Sequence, residues 1–326
     1  MVNKTHYRLY SQNKEEINMK KNYEEFCTYV EENILSLMSD GVKRSVYVKD
    51  IRKNNGVMLK GLVIISDNTN ISPTLYLDSY YEEYEVGYAS LDEILEEIAH
   101  FYSKAEQNTN DPFDIESLQE ANIIGCLVGT KNNMDFLKDI PFIPCGKDFA
   151  VIFKYYLGES LYGSVATITI TDYLAERLGY DTSKLMQLAL ENTPRLLPLS
   201  AEKISQVLKN LDWDDTELAE HIDVPMYVIS NEKGKFGAFS LFYPETLKML
   251  FEQFGCDMVL IPSSIHECLL IPYEESICFE EVNEIICTIN QTQVAEDEIL
   301  ADRAYLLKKG TTDIFEQFIA DYAYSK

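Results

Sequence analysis

Apolar positions recur at three- and four-residue intervals over part of the chain, and elsewhere they gather into short Val/Ile-rich runs bounded by turn residues. Phe26, Val30, Ile34, Leu37 and Met38 mark a helix over 22–39, stopped by Asp40-Gly41. The runs 45–53 and 57–66 are joined by Asn54-Asn55-Gly56, whose residues tolerate positive φ, and so predict a β-hairpin. Ser90-Leu91-Asp92-Glu93 has capping-box spacing, and Leu91, Ile94, Leu95, Ile98 and Phe101 carry the apolar face of a helix to about Gln107. Between them Tyr80, Tyr84 and Tyr88 repeat every four residues, an aromatic stripe expected to face a core. The polar, turn-rich stretch Gln107–Pro112 reads as a boundary.

Beyond it the pattern predicts strands at Ile123–Val128, 148–157 and 164–170, the last two joined by a turn at Gly158–Gly163, with a short helix near 131–138 and an extended Ile140–Pro144. Helices are expected at about 171–178, 181–193 and 200–211, the last capped by Ser200, before an acidic loop or surface helix at Asp212–Asp223. From Met226 the order is strand 226–231, turn Glu232–Gly234, strand 236–242, helix 244–254, strand 257–261, turn 262–266, strand 267–271 and helix 279–290. Hairpins outnumber parallel crossovers. The expected fold class is therefore α+β, with mixed, largely antiparallel sheets, flanking helices and two subdomains. The two are an N-terminal α-β-β-α unit 22–107 and a larger α+β domain 113–309, preceded by a mobile leader 1–21 and followed by a C-terminal helical tail 310–326.

With 326 residues, 46% of them hydrophobic, the chain can bury a sizeable core. Charge narrows the partners. Against 28 Lys+Arg stand 54 Asp+Glu, a net −26; residues 1–21 hold a net +3, and residues 61–103, 210–232 and 272–302 contain no Lys or Arg. Nucleic acid and anionic membrane surfaces both need clustered bases, so neither is expected as a partner. Such acidity serves solubility, a basic protein partner, or mimicry of a nucleic-acid surface. The seven cysteines contain no C-x-x-C pair and sit mostly in apolar surroundings, as reduced buried thiols would. The N-terminus lacks the apolar run of a signal peptide, and no stretch approaches the roughly 20 apolar residues of a membrane span. A soluble cytoplasmic protein is expected, with its oligomeric state left open.

The most suggestive string for chemistry is Pro262-Ser263-Ser264-Ile265-His266-Glu267, which puts hydroxyls, an imidazole and a carboxylate at a tight connection between apolar strands. Ser264, His266 and Glu267 could do acid–base work there. Adjacent residues in a turn usually point apart, so the string better suits a structural turn in which serine bonds backbone and His266 satisfies a neighbour. Cys145, in Pro144-Cys145-Gly146-Lys147, is the cysteine in the least apolar context; Lys147 could favour its thiolate, and His266 could serve as its base. His6, His100, His221 and His266 lie far apart without metal-ligand spacing, so no metal is expected. No cofactor is expected either: there is no P-loop and no G-x-G-x-x-G, and Gly125-Cys-Leu-Val-Gly129 lacks the required glycines. The acid runs Glu280-Glu281 and Glu296-Asp-Glu298 suit solvated faces or first helical turns.

The strings Lys53-Asn-Asn-Gly-Val57, Ser72-Pro-Thr-Leu-Tyr76, Asp139-Ile-Pro-Phe-Ile-Pro144, Ala189-Leu-Glu-Asn-Thr193, Ile261-Pro-Ser-Ser-Ile-His-Glu267 and Asn290-Gln-Thr-Gln-Val-Ala295 span most of residues 22–305. In them the chain resembles an uncharacterised bacterial family, a domain-of-unknown-function group of gut Firmicutes. That resemblance implies one shared architecture in intracellular proteins and brings no activity, cofactor or catalytic residue with it. Two functions stay open: a cytoplasmic binding or interaction protein without catalysis, or a small hydrolase-like enzyme using Ser264 or Cys145 with His266.

Overall fold

A computed structural model describes residues 20–38, 40–67, 72–108, 118–159, 165–210 and 225–311, together with Ile314 and Phe318. Most of the leader, residues 109–112 of the expected boundary, most of the Gly158–Gly163 turn, the acidic stretch 212–223 and most of the tail lie outside them. The chain divides into two units, one of Met1–Lys49, Lys60–Asp67 and Ser72–Gln107, the other of Asp50–Leu59, Asn68–Ile71 and Asn108–Lys326.

In the first unit, helix α1 (Tyr23–Asn33) opens with a reciprocal cap: the Glu25 backbone N–H donates to Asn22 Oδ1, and the Asn22 N–H to Glu25 Oε2, each at 3.0 Å. A 3-10 turn, Ile34–Leu37, continues it. Strands β1 (Arg44–Arg52), β2 (Met58–Ser66) and β3 (Thr74–Tyr76) form a three-stranded sheet in that order. The tip of the first hairpin, within Asp50–Leu59, belongs to the second unit, and there Asn55 (φ 60°) and Gly56 (φ 76°) make the turn in the left-handed region that Asn and Gly tolerate. Helix α2 (Asp78–Val86) follows, then α3 (Leu91–Asn108), whose cap joins Ser90 and Glu93. The core gathers Phe26, Val30 and Ile34 of the α1 stretch, Leu62 and Ile64 of β2, and Ile94, Ile98 and Tyr102 of α3. Tyr80 and Tyr84 pack against it, but Tyr88 is 89% exposed. The left-handed Gly87 (φ 79°) ends α2 before the stripe is complete, so Tyr88 no longer shares its face.

The second unit holds two sheets, both antiparallel. In one, β6 (Phe149–Glu159) pairs on one edge with β4 (Ile123–Gly129) and on the other with β5 (Phe142–Cys145) and β7 (Val165–Thr169). The other is five-stranded, in the order β12 (Tyr305–Leu307), β10 (Met258–Ser264), β11 (Glu267–Pro272), β9 (Tyr227–Asn231), β8 (Leu199–Lys203). Helices α4 (Asp172–Leu178), α5 (Thr182–Leu196), α6 (Ile204–Asn210), α7 (Thr246–Phe254) and α8 (Phe279–Thr292) flank them, and the fold is α+β. A single apolar cluster takes in Phe149, Val151 and Phe153 of β6, Leu185 and Ala189 of α5, Ile229 of β9, Leu250 of α7 and Leu260 of β10. A smaller one seats Ile286 of α8 on Val259 and Ala304.

Three expectations fail locally. Residues 200–203 belong to β8, paired with β9 from Leu199↔Asn231 to Lys203↔Tyr227, so Ser200 caps no helix; its Oγ donates to Glu202 Oε1 at 3.1 Å. The run Gly237–Phe242 is a 3-10 segment in place of a strand, with every residue buried, a pattern in which period carries no information. Residues 131–138 form turns ending in a 3-10 piece at Phe136–Asp139, because Asn133 points inward as a fully buried hub. Its Nδ2 donates to Gly129 O (2.7 Å) and Asn54 Oδ1 (2.7 Å), and its Oδ1 accepts the Asn55 N–H (2.8 Å). The same hairpin tip reaches a second anchor: Asn54 Nδ2 donates to Asp297 O, and Asn55 Nδ2 to Glu296 O and Ile299 O. Among the described residues, no helix is long and apolar enough to cross a membrane.

Candidate functional site

Pro262, Ser263 and Ser264 continue strand β10, with a bulge between Ile261 and Ser264, so the connection to β11 shrinks to Ile265-His266. So short a turn leaves its backbone groups to partners outside the strand ladder. The His266 N–H donates to Ser264 Oγ (3.0 Å), Ser230 Oγ on β9 donates to His266 O (2.7 Å), and the Ile265 N–H donates to Glu298 O (2.9 Å). Ser264 Oγ thus faces the turn's own backbone.

The imidazole is held from two sides. Its Nδ1 accepts the Phe236 N–H at 3.0 Å, and its Nε2 lies 2.9 Å from Glu298 Oε1. An accepting Nδ1 fixes the neutral tautomer with its proton on Nε2, donated to the carboxylate. Burial lowers the His266 pKa from the usual imidazole value and nearby Lys235 adds to this, while Glu298 opposes both. Burial also raises the Glu267 carboxyl, against a weak 3.4 Å hydrogen bond from Ser263 Oγ. Phe236 is a bulky residue at φ 60°, a costly conformation held by that Nδ1 bond and by the next residue. A Cβ on Gly237 would come within 2.2 Å of Ser230 Oγ and 2.3 Å of His266 O, so only glycine fits beneath the turn.

The Phe236 ring also links this turn to the other sheet. Its centroid is 5.9 Å from the His266 ring and 5.2 Å from Lys154 Nζ on β6. Lys154 donates to Thr169 Oγ1 on β7 at 3.0 Å, and burial lowers its pKa. Among the described residues it forms no ion pair with a carboxylate. Its charge rests on a hydroxyl and the face of a ring.

The candidates are therefore not all brought together. Ser264, His266 and Glu267 share one hairpin, but with their polar atoms turned to different partners. Cys145 is fully buried at the end of β5, in the other sheet. His100 is exposed on α3, and His6 and His221 lie outside the described residues. Among those described, no group of three or more His, Cys, Asp or Glu could hold a metal. Phe236, Glu298 and Lys154 escape sequence reasoning. They are 30, 32 and 112 positions from His266, and nothing local marks them.

A cleft of about 240 Å³ lies elsewhere in this unit, lined in part by Lys131, Asp148, Asp302, Arg303 and Tyr305. Its charges neutralise one another. Arg303 Nε and a terminal nitrogen meet Asp148 Oδ2 at 2.9 and 2.7 Å, Tyr305 OH donates to the same oxygen at 2.8 Å, and Lys131 pairs with Asp302 at 2.9 Å. Such a set fixes the loop before β12 and offers no unpaired nucleophile.

Neither the curated proteins nor the solved structures contain a match to the chain. A family does match: residues 23–309, nearly the whole described molecule, fit the Family of unknown function (DUF5688), and the chain belongs to that family.

Proposed function

We propose that this protein is a non-catalytic cytoplasmic binding protein whose partner is a basic protein. The observation that carries the reading is the state of His266. A serine or cysteine mechanism needs an imidazole nitrogen open to the nucleophile's proton. Here Nδ1 accepts a backbone N–H and Nε2 faces a carboxylate, while Ser264 Oγ accepts a backbone N–H and Cys145 lies in the core. The hydrolase-like alternative, with Ser264 or Cys145 acting through His266, would have to free Nδ1 from the Phe236 N–H before chemistry began. The net charge of −26 supports a cationic partner and opposes nucleic acid. Buried thiols not joined in disulfides, at Cys27, Cys126, Cys145 and Cys268, support a reducing compartment.

Calorimetric titration with poly-L-lysine should show binding that weakens steeply as salt rises and screens the charges, with none to a neutral polymer of equal length. Activated ester and thioester substrates should be hydrolysed no faster by the wild-type chain than by His266→Gln or Cys145→Ser. A hydrolysis rate that collapses in those variants would overturn the reading.

A further inference from the structure

Resting on that reading, we infer that the outer face of α8 is the docking surface, and that its occupant is a basic amphipathic helix whose apolar side seats on Ile285 and Ile289. The apolar stripe of the 14-residue helix α8 is wider than the part of it that packs on the fold. The inner side is accounted for: Ile286 is buried on Val259 and Ala304, with Val282 packed beside it. On the outer side Ile285 is 59% and Ile289 45% exposed, four residues apart and therefore adjacent along the helix. Nothing among the described residues covers them.

The surroundings select the occupant. Glu281, one turn before Ile285, and Glu284, immediately before it, are both exposed. Neither forms an ion pair among the described residues, whereas Lys53, Lys131, Lys235 and Lys308 of the same unit all pair with carboxylates. No Lys or Arg occurs between residues 272 and 302, so α8 and its flanks hold no base that could neutralise this rim. An apolar step bordered by unpaired carboxylates repels acidic proteins and phosphate surfaces and is complementary to lysines flanking an apolar stripe. A straight helix presents its i, i+4 side chains as a ridge, and another helix packs against such a ridge most closely. The step is small, which makes the complex a weak and reversible one.

The test uses the full chain with two probes: a synthetic amphipathic helix of leucine and lysine, and poly-L-lysine as a purely cationic control. The leucine–lysine peptide should bind the wild-type chain. The Ile285→Ser/Ile289→Ser double variant should weaken it about tenfold or more while leaving poly-L-lysine affinity unchanged. Glu281→Lys/Glu284→Lys should remove most peptide binding and flatten its salt dependence. A photo-crosslinking version of the peptide should label residues 279–292 of the wild-type chain, a readout that needs no variant to fold. Peptide binding indifferent to both double variants, or crosslinks mapping elsewhere, overturns the assignment of this face and leaves the wider reading standing. If neither probe binds the wild-type chain, the basic-partner reading fails with it.

Discussion

Arg44, at the start of β1 in the first unit, and Lys154, midway along β6 in the second, are both basic side chains drawn out of water, and their surroundings differ in kind. The Arg44 side chain is 3% exposed and fully answered: its terminal nitrogens reach both Asp40 oxygens at 2.6 and 2.7 Å, its Nε reaches Glu106 at 2.9 Å, and one nitrogen also donates to Met38 O. That fork holds the Asp40 carboxyl well below the usual carboxylate range. Lys154 has a threonine hydroxyl and a phenyl face. The difference is not one of supply, since the chain holds 54 acids to 28 bases. It lies in geometry and place. Arg44 stands at a strand end where a loop and a helix bring carboxylates to both sides of a rigid planar donor, whereas Lys154 sits within a strand whose neighbours are apolar. The buried cation is a fastener; the half-buried one is a cost the fold tolerates.

Breaking the fastener should have the largest effect. Arg44→Met strands Glu106 and should lower unfolding free energy by about 3 kcal/mol in denaturant titration, with Arg44→Lys recovering less than half, because one ammonium cannot bridge two carboxylates. If Arg44→Lys is as stable as wild type, the contrast drawn here between fork and point charge is wrong.

His266→Ala orphans the strained Phe236 N–H and leaves the Glu298 carboxylate with Lys235 alone, and should cost about 1–3 kcal/mol. Its pH profile sharpens the test. Because the folded His266 pKa is lowered, its contribution is complete above the ordinary imidazole value of about 6.5 and is lost as pH falls below it. The stability gap between wild type and His266→Ala should therefore narrow from pH 7 towards pH 5; a constant gap would show that the imidazole is not held neutral.

Removing the tolerated charge should do the opposite of breaking the fork. Lys154→Met should leave stability unchanged or raise it by about 1 kcal/mol at pH 7. A base with a lowered folded pKa destabilises most when both states are protonated, so this gain should fade as pH approaches about 10.5. A clear loss of stability on Lys154→Met would mean that the cation–ring contact is a fastener after all.

The smallest effect separates backbone strain from charge burial. Glu245 sits at φ 70° ahead of α7, exposed to solvent, and Glu245→Gly should raise the melting temperature slightly, for a gain of about 0.5–1 kcal/mol. No change there would imply that the strain at Phe236 is also cheap, and that the His266 cost is electrostatic alone.

What could be read from the chain is what neighbours decide. The Ser90–Glu93 cap and the Asn54–Gly56 turn depend on contacts within a few residues, and both are where their spacing puts them. Gly237–Phe242 misleads because a six-residue run buried on every side has no polar face to reveal its period. Leu199–Lys203 becomes a strand because β9, some 30 positions on, supplies an edge for it, overriding a plausible helical cap at Ser200. At the site, imidazole and hydroxyl chemistry was enough to single out His266 and Ser264. Their roles were not legible, since those depend on Phe236 and Glu298 arriving from other segments. Lys154 had no chance of notice: a lone lysine in the strand Phe149–Glu159 looks like an ordinary outward position.

The Asn54–Asn55 tip has a consequence in time. Asn54 and its acceptor at residue 297 are 243 positions apart, yet Asn133 is only 79 away. During synthesis at about 5–20 residues per second, the first anchor exists some 8–33 s before the second has been made. The tip must therefore wait on Asn133 alone through about half of the chain's synthesis. Closing the longer span adds little free energy, because loop entropy grows only with the logarithm of length, but contacts so remote in sequence slow the search for the native state. The three carbonyls at 296, 297 and 299 thus act as a final latch, and the step they complete can come only after nearly the whole family domain has been translated.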